Sequence, residues 1–200
     1  MTTPARLVVL ISGSGTNLQA ILDACSSSEL PAQVVAVISN KPQAFGLERA
    51  RQLQVPALVQ IKQSAQSRTD YDTELAELVA KFKPDWIVLA GWMRLLTTNF
   101  LNRFPNRVVN LHPALPGTFP GTHAVERAFE SFQRNEIQYT GVMVHLVPDE
   151  GVDSGPVLAQ EIVPIQPIDT LETLEARIHS VEHRLLVATL QSLISKSPIL

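Results

Sequence analysis

The sequence predicts one α/β domain: a Rossmann-like, doubly wound and mostly parallel sheet that ends in an antiparallel C-terminal hairpin and a terminal helix. Three observations lead there. Short β-branched runs alternate with segments of helical period, the pattern of successive βαβ units. The runs are apolar throughout instead of alternating with polar residues, so the strands are covered on both faces. Late in the chain, two longer runs are joined by a connection rich in Gly, Pro and Asp, which pairs them as a hairpin with a functional loop. A length of 200 residues, 45% hydrophobic and 18% charged, supports one well-filled core and argues against long disorder.

Leu7-Val8-Val9-Leu10-Ile11 marks a strand over about 6–11, and the glycines and hydroxyls that follow turn the chain into a helix over about 16–27. A strand over about 33–39 and a helix over about 44–53 repeat the unit. A short strand near 57–60, a helix over about 70–82, a buried strand at 86–90, a short helix near 98–103 and a strand at 108–111 come next. After a loop at 112–121, a helix over about 122–132 leads to the two long runs at 140–147 and 157–163. The last helix starts near Asp169-Thr170, where either side chain caps its first turn and Glu172 and Glu175 suit its positive end. Leu171, Leu174, Ile178, Val181 and Leu185 form one apolar stripe toward the sheet, and 195–200 reads as a frayed tail.

The net charge of −3 offers no general attraction to nucleic acid or an anionic membrane, so an anionic ligand must be caught by a local site. The single cysteine, Cys25, excludes an intrachain disulfide and reads as a small buried apolar residue in a reducing compartment. The apolar run after Arg6 is too short for a signal peptide or a membrane span, and the expected location is the cytoplasm.

Two segments carry chemistry. Ser12-Gly13-Ser14-Gly15-Thr16-Asn17 lies between a strand and a helix, where close-approaching backbone and free helix-start amides suit a phosphate. It lacks the Gly-Lys-Ser/Thr of the nucleotide P-loop and the third glycine of the dinucleotide fingerprint, and a tight structural turn is the plainer alternative. In Val109-Asn110-Leu111-His112-Pro113, Asn110 and His112 are two positions apart and project from one side of a strand's end. An amide donor, an imidazole and a carboxylate such as Asp153 suit attack on a carbonyl, whereas the bland reading has both side chains satisfying local backbone. His112, His123, His145, His179 and His183 form no zinc motif, and no Gly-x-Ser-x-Gly elbow is present, so no metal is expected and a serine hydrolase is disfavoured. His145 reads either as a satisfied core histidine or as a cleft residue, and His123 as ordering the start of its helix. Trp92 reads as a buried anchor or a ligand neighbour.

Taken together, Leu10 through Ala20, Ser39-Asn40-Lys41, the run from Ala44 to Ala50, Leu89-Ala90-Gly91-Trp92-Met93-Arg94, Asn110-Leu111-His112-Pro113, Phe119-Pro120-Gly121-Thr122-His123-Ala124 and the run from Asp149 to Pro156 resemble the phosphoribosylglycinamide formyltransferases. The resemblance spans nearly the whole chain. It implies transfer of the formyl group of 10-formyltetrahydrofolate to the amine of glycinamide ribonucleotide in purine biosynthesis, with Asn110, His112 and Asp153 as the catalytic trio. Asn110 and a protonated His112 would stabilise the oxyanion, with Asp153 raising the histidine's pKa. The resemblance also places the substrate phosphate on Gly15, Thr16, Asn17 and Glu182. Formyl folate falls to Arg68, Met93, Arg94, Leu95, Leu96, Asn110, Asp149, Glu150, Gly151 and Val152, although the two arginines and the acidic pair would ordinarily be solvated surface. The phosphate-binding half is then about 1–100, and the catalytic and folate-binding half about 101–200.

One departure stands out: Leu115-Pro116-Gly117-Thr118 replaces the second leucine and proline common in the family after His-Pro-Ser/Ala-Leu. Methionyl-tRNA formyltransferase would bring a C-terminal nucleic-acid domain and a basic surface, and formyltetrahydrofolate deformylase an N-terminal regulatory domain, while this chain starts at strand one. A noncatalytic phosphate-ligand sensor on the same fold has no need of the whole trio. Small-molecule partners and a monomer or weak homodimer are expected.

Overall fold

The computed structural model describes residues 3–196. Its elements run β1 (Ala5–Ile11), α1 (Thr16–Ser26), β2 (Ala32–Ser39), α2 (Gly46–Gln52), β3 (Ala57–Val59), α3 (Arg68–Ala80) and β4 (Trp86–Leu89). There follow α4 (Thr98–Leu101), β5 (Val108–His112), α5 (Ala124–Gln133), β6 (Tyr139–Leu146), β7 (Val157–Pro164) and α6 (Leu171–Lys196). The strands form one sheet in the order β3-β2-β1-β4-β5-β6-β7. Pairing is parallel from β3 through β5 and antiparallel for β5 with β6 and β6 with β7. The expected class and hairpin are therefore present.

The apolar runs are unbroken because both faces of the sheet are buried. On β1, Leu7, Val9 and Ile11 meet Leu18 and Ile21 of α1 and Ile178 of α6, while Val8 and Leu10 face Tyr71 and Leu75 of α3 and Phe100 of α4. The stripe on α6 is as predicted at Leu174, Ile178 and Val181, but Leu186 is buried where Leu185 is only partly covered. Ser195 and Lys196 belong to α6, and the rest of the predicted tail lies outside the described residues.

Several helix starts differ from expectation for local reasons. The α3 helix begins at Arg68, two residues early, because the Ser67 hydroxyl accepts from the Asp70 amide and caps it. Conversely, α5 begins at Ala124 because His123 is left-handed, with φ 58°, and cannot join the helix. Among the described residues, no helix is long and apolar enough to cross a membrane.

Candidate active site

The strand order reverses between β1 and β4, and at such a switch point the loops leaving the two strands diverge and open a crevice. A cleft of about 940 Å³ lies there, reaching from Gly15 and Asn17 at one end, past Asn110 and His112, to Arg94 and Val152 at the other. A hollow of about 510 Å³ lies away from it, beside the start of β2. It offers little chemistry: Arg6 is spent on the Phe82 and Lys83 carbonyls, and burial pushes the Cys25 thiol up to about 11.

Asn110 pairs with His145 across the β5–β6 register, which sets the two side chains against each other. His145 Nδ1 lies 2.8 Å from the Leu146 carbonyl, an acceptor only, so that nitrogen carries the proton and Nε2 accepts from Asn110 Nδ2 at 3.0 Å. The second Asn110 hydrogen goes to Asp153 Oδ1, also at 3.0 Å. An amide nitrogen has two hydrogens, and here both are committed, one to His145 and one to Asp153. The two readings of His145 merge, since it is 1% exposed yet orients a cleft residue.

Asp153 stands on the loop after β6 in a left-handed conformation, φ 49°. Its Oδ2 accepts from the Gly121 amide at 2.8 Å and faces His112 Nδ1 at 3.3 Å. Burial acts to raise its carboxyl, yet the Gly121 hydrogen bond helps to hold it below the usual carboxylate range. His112 Nε2 lies 3.0 Å from the Phe119 carbonyl and therefore donates to it. The Asp153 charge acts to raise the His112 imidazole, as expected, but it is not the larger effect. Burial outweighs the Asp153 charge and leaves the imidazole below its ordinary value, so it rests neutral with the proton on Nε2 and Nδ1 toward Asp153.

At the other end, Gly15 is left-handed, φ 73°, and backs onto α2: a Cβ there would sit 2.6 Å from Gly46 Cα. Gly46 N donates to Gly13 O at 3.1 Å, which explains why α2 starts at Gly46 and not at 44. Arg49 props the turn through Ser14 O and Gln19 Oε1. The amides that open α1 have no partner within the helix and face the cleft. Glu182 reaches this end through Asn17 Nδ2 at 3.3 Å. Burial raises its carboxyl, while His179 and the Asn17 hydrogen bond act the other way.

The formyl transferase family profile matches residues 5–190. This chain belongs to that family. It is 45% identical to a phosphoribosylglycinamide formyltransferase of Dictyostelium discoideum, over 96% of this chain and 98% of the relative. Among solved structures, glycinamide ribonucleotide transformylase 1 from Symbiobacterium toebii is 42% identical with a TM-score of 0.91, over 98% of this chain and 90% of that one. Phosphoribosylglycinamide formyltransferase from Bacillus halodurans is 41% identical with the same score of 0.91, over 98% of each chain.

In this formyltransferase the expected folate positions divide. Met93, Leu95 and Val152 are exposed apolar side chains at the cleft, whereas Leu96 is buried in the core. Arg94 lies 4.7 Å from the Tyr71 ring centroid. Arg68 is joined to the cleft through Glu150, at 2.7 Å, and Glu150 also accepts from Thr98 N. Asp149 accepts from Gly151 N and so folds the loop tip. Trp92 is a buried anchor at the cleft wall, and His123 bonds Glu126 at the start of α5. Leu115-Pro116-Gly117-Thr118 is a turn closed by Thr118 N to Leu115 O at 3.0 Å, with proline at its second position and Gly117 at φ 75° in its third. Ser12 and Asn40, named in the sequence motifs but given no role of their own, are joined at 2.7 Å where β1 and β2 end, and Arg127 was missed altogether. Strand ends flanking a switch point were the available signal for the first two. An arginine on an amphipathic helix gives none.

Proposed function

We propose that this chain transfers the formyl group of 10-formyltetrahydrofolate to the amine of glycinamide ribonucleotide. The carrying observation is that the phosphate turn at Gly15, Thr16 and Asn17 and the cluster of Asn110, His112 and Asp153 share one cleft. The α1 amides take the phosphate, Glu182 accepts from sugar hydroxyls, and the amine extends toward β5. Arg68, Met93, Arg94, Leu95, Leu96 and the Asp149, Glu150, Gly151 and Val152 loop flank the folate. The phosphate end thus draws mainly on the first half of the chain and the reacting end on the second.

The amine nitrogen bonds to the formyl carbon, and the former carbonyl oxygen becomes an oxyanion. That oxygen takes over the Asn110 hydrogen now held by Asp153, the one that can be released because His145 keeps the other. Neutral His112 accepts the amine's proton at Nδ1, beside the Asp153 carboxylate that stabilises the imidazolium. The carbon–N10 bond then breaks, and His112 returns the proton to N10. The reading carries with it a cytoplasmic, metal-free enzyme, monomeric or weakly dimeric. Its test mixes the chain with both substrates and follows the deformylated folate. Amine-dependent turnover is the expected result; release without the amine would make it a deformylase, and no turnover would remove the reading.

A further inference from the structure

We infer that Arg127 is a positioning residue for His112, acting through the Phe119 carbonyl; the inference rests on the formyl-transfer reading above. Arg127 lies on α5 outside the trio, and its hydrogen bonds among the described residues all go to carbonyls of the approaching chain. One guanidinium nitrogen, Nη2, donates to Phe119 O at 2.8 Å and to Pro120 O at 2.7 Å, while Nε donates to His123 O at 3.3 Å. The guanidinium carbon also lies 5.9 Å from the centre of the Phe119 ring. The Phe119 oxygen therefore receives two donors, Arg127 and His112 Nε2, one for each lone pair.

Phe119 pays for this in backbone conformation. Its φ is 45°, a left-handed value that a bulky side chain adopts only when its surroundings impose it. The groups drawing its carbonyl inward are Arg127 and His112. Three prolines and two glycines in 113–121 do not enforce that angle at residue 119.

The chemical consequence concerns which ring nitrogen works. A carbonyl can only accept, so while Phe119 O faces Nε2 the proton stays there and the Nδ1 lone pair is free to receive the amine's proton. Once the carbonyl swings away, the remaining acceptor is Asp153 Oδ2, 3.3 Å from Nδ1. The neutral ring then shifts its proton to Nδ1 and has no base facing the amine. Arg127 never touches substrate; it selects the tautomer.

The experiment uses full-length protein labelled with ¹⁵N at histidine. Long-range proton–nitrogen spectra report the tautomer of each ring, and the His112 signals are assigned by their loss in His112→Gln. The native protein should show the proton on Nε2. Arg127→Met, which keeps the apolar stem without donors, should move it to Nδ1 and lower kcat about tenfold or more with KM for both substrates within about twofold. Arg127→Lys, which can still donate to both carbonyls, should restore much of the native tautomer and rate, and it serves as the informative variant should Arg127→Met not fold. An unchanged tautomer in folded Arg127→Met, or a changed tautomer with unchanged kcat, overturns the inference. If the native chain transfers no formyl group, the proposed function falls, while the spectra still decide whether Arg127 sets the His112 proton.

Discussion

At the scale of the residue, the site is a closed account of hydrogens. Asn110 spends both amide hydrogens, His145 holds one of them in place from a nitrogen whose partner is fixed on Leu146, and Asp153 collects from Asn110 and Gly121. Asn110→Ala should lower kcat about a hundredfold or more, the usual cost of one oxyanion donor, with the fold retained by circular dichroism; a loss under about fivefold would exclude that role. His112 offers a second prediction with a definite sign. Burial outweighs the Asp153 charge, so the ring should titrate below the ordinary histidine value in the free enzyme. Asp153→Asn removes the opposing charge, and the His112 midpoint, followed by NMR, should fall further. A base must be neutral to take a proton, so native transfer should fail as pH drops through that midpoint. An upward shift in Asp153→Asn would show that the carboxylate is not what opposes burial.

At the scale of the element, what was legible was what depends on composition and period. β1 from Leu7 onward and β4 are unbroken apolar runs against both faces of the core, and the same side of β5 presents Asn110 and His112. What was not legible turns on single backbone angles and on contacts between distant segments. His123, Phe119 and Asp153 are left-handed without being glycine, and no local pattern announces them. Asp153 reaches His112 across the loop after β6, so resemblance named it where spacing could not. The two turn glycines show how such constraints differ in cost. Gly117→Ala meets nothing within 4 Å and should lose only the roughly 1 kcal/mol of a left-handed alanine. Gly15→Ala adds a collision with Gly46 Cα to the same penalty. It should cost about 2–4 kcal/mol in urea unfolding and raise KM for the phosphorylated amine at least about tenfold, with KM for the folate within about twofold. Equal effects on both KM values would mean that the turn does not serve one end of the cleft alone.

At the scale of the whole molecule, the reversal of strand order between β1 and β4 makes the reaction a single-cleft event. Parallel strands send the loops that follow them to the same edge, so a phosphate turn after β1, the loop after β4 and the catalytic tip of β5 converge although they are far apart in the chain. The antiparallel hairpin then returns β6 beside β5, which puts His145 against Asn110 and the Asp153 loop over the middle of the cleft. α6 closes the far side by bringing Glu182 to Asn17. This arrangement predicts two ligand ends that are separate yet share one folded body. A ligand that binds only the folded state at about a hundred times its Kd stabilises by about 2.7 kcal/mol. At roughly 2–4 °C per kcal/mol for a domain of this size, glycinamide ribonucleotide or a nonreactive folate analogue alone should raise Tm by about 5–10 °C. Together they should raise it by more than either does alone, because each occupies its own end. Gly15→Ala should lose the shift from the phosphorylated ligand and keep that from the folate. Should both ligands together protect no better than one in calorimetry, the two would be competing for one site, and the assignment of opposite ends of the cleft would be wrong.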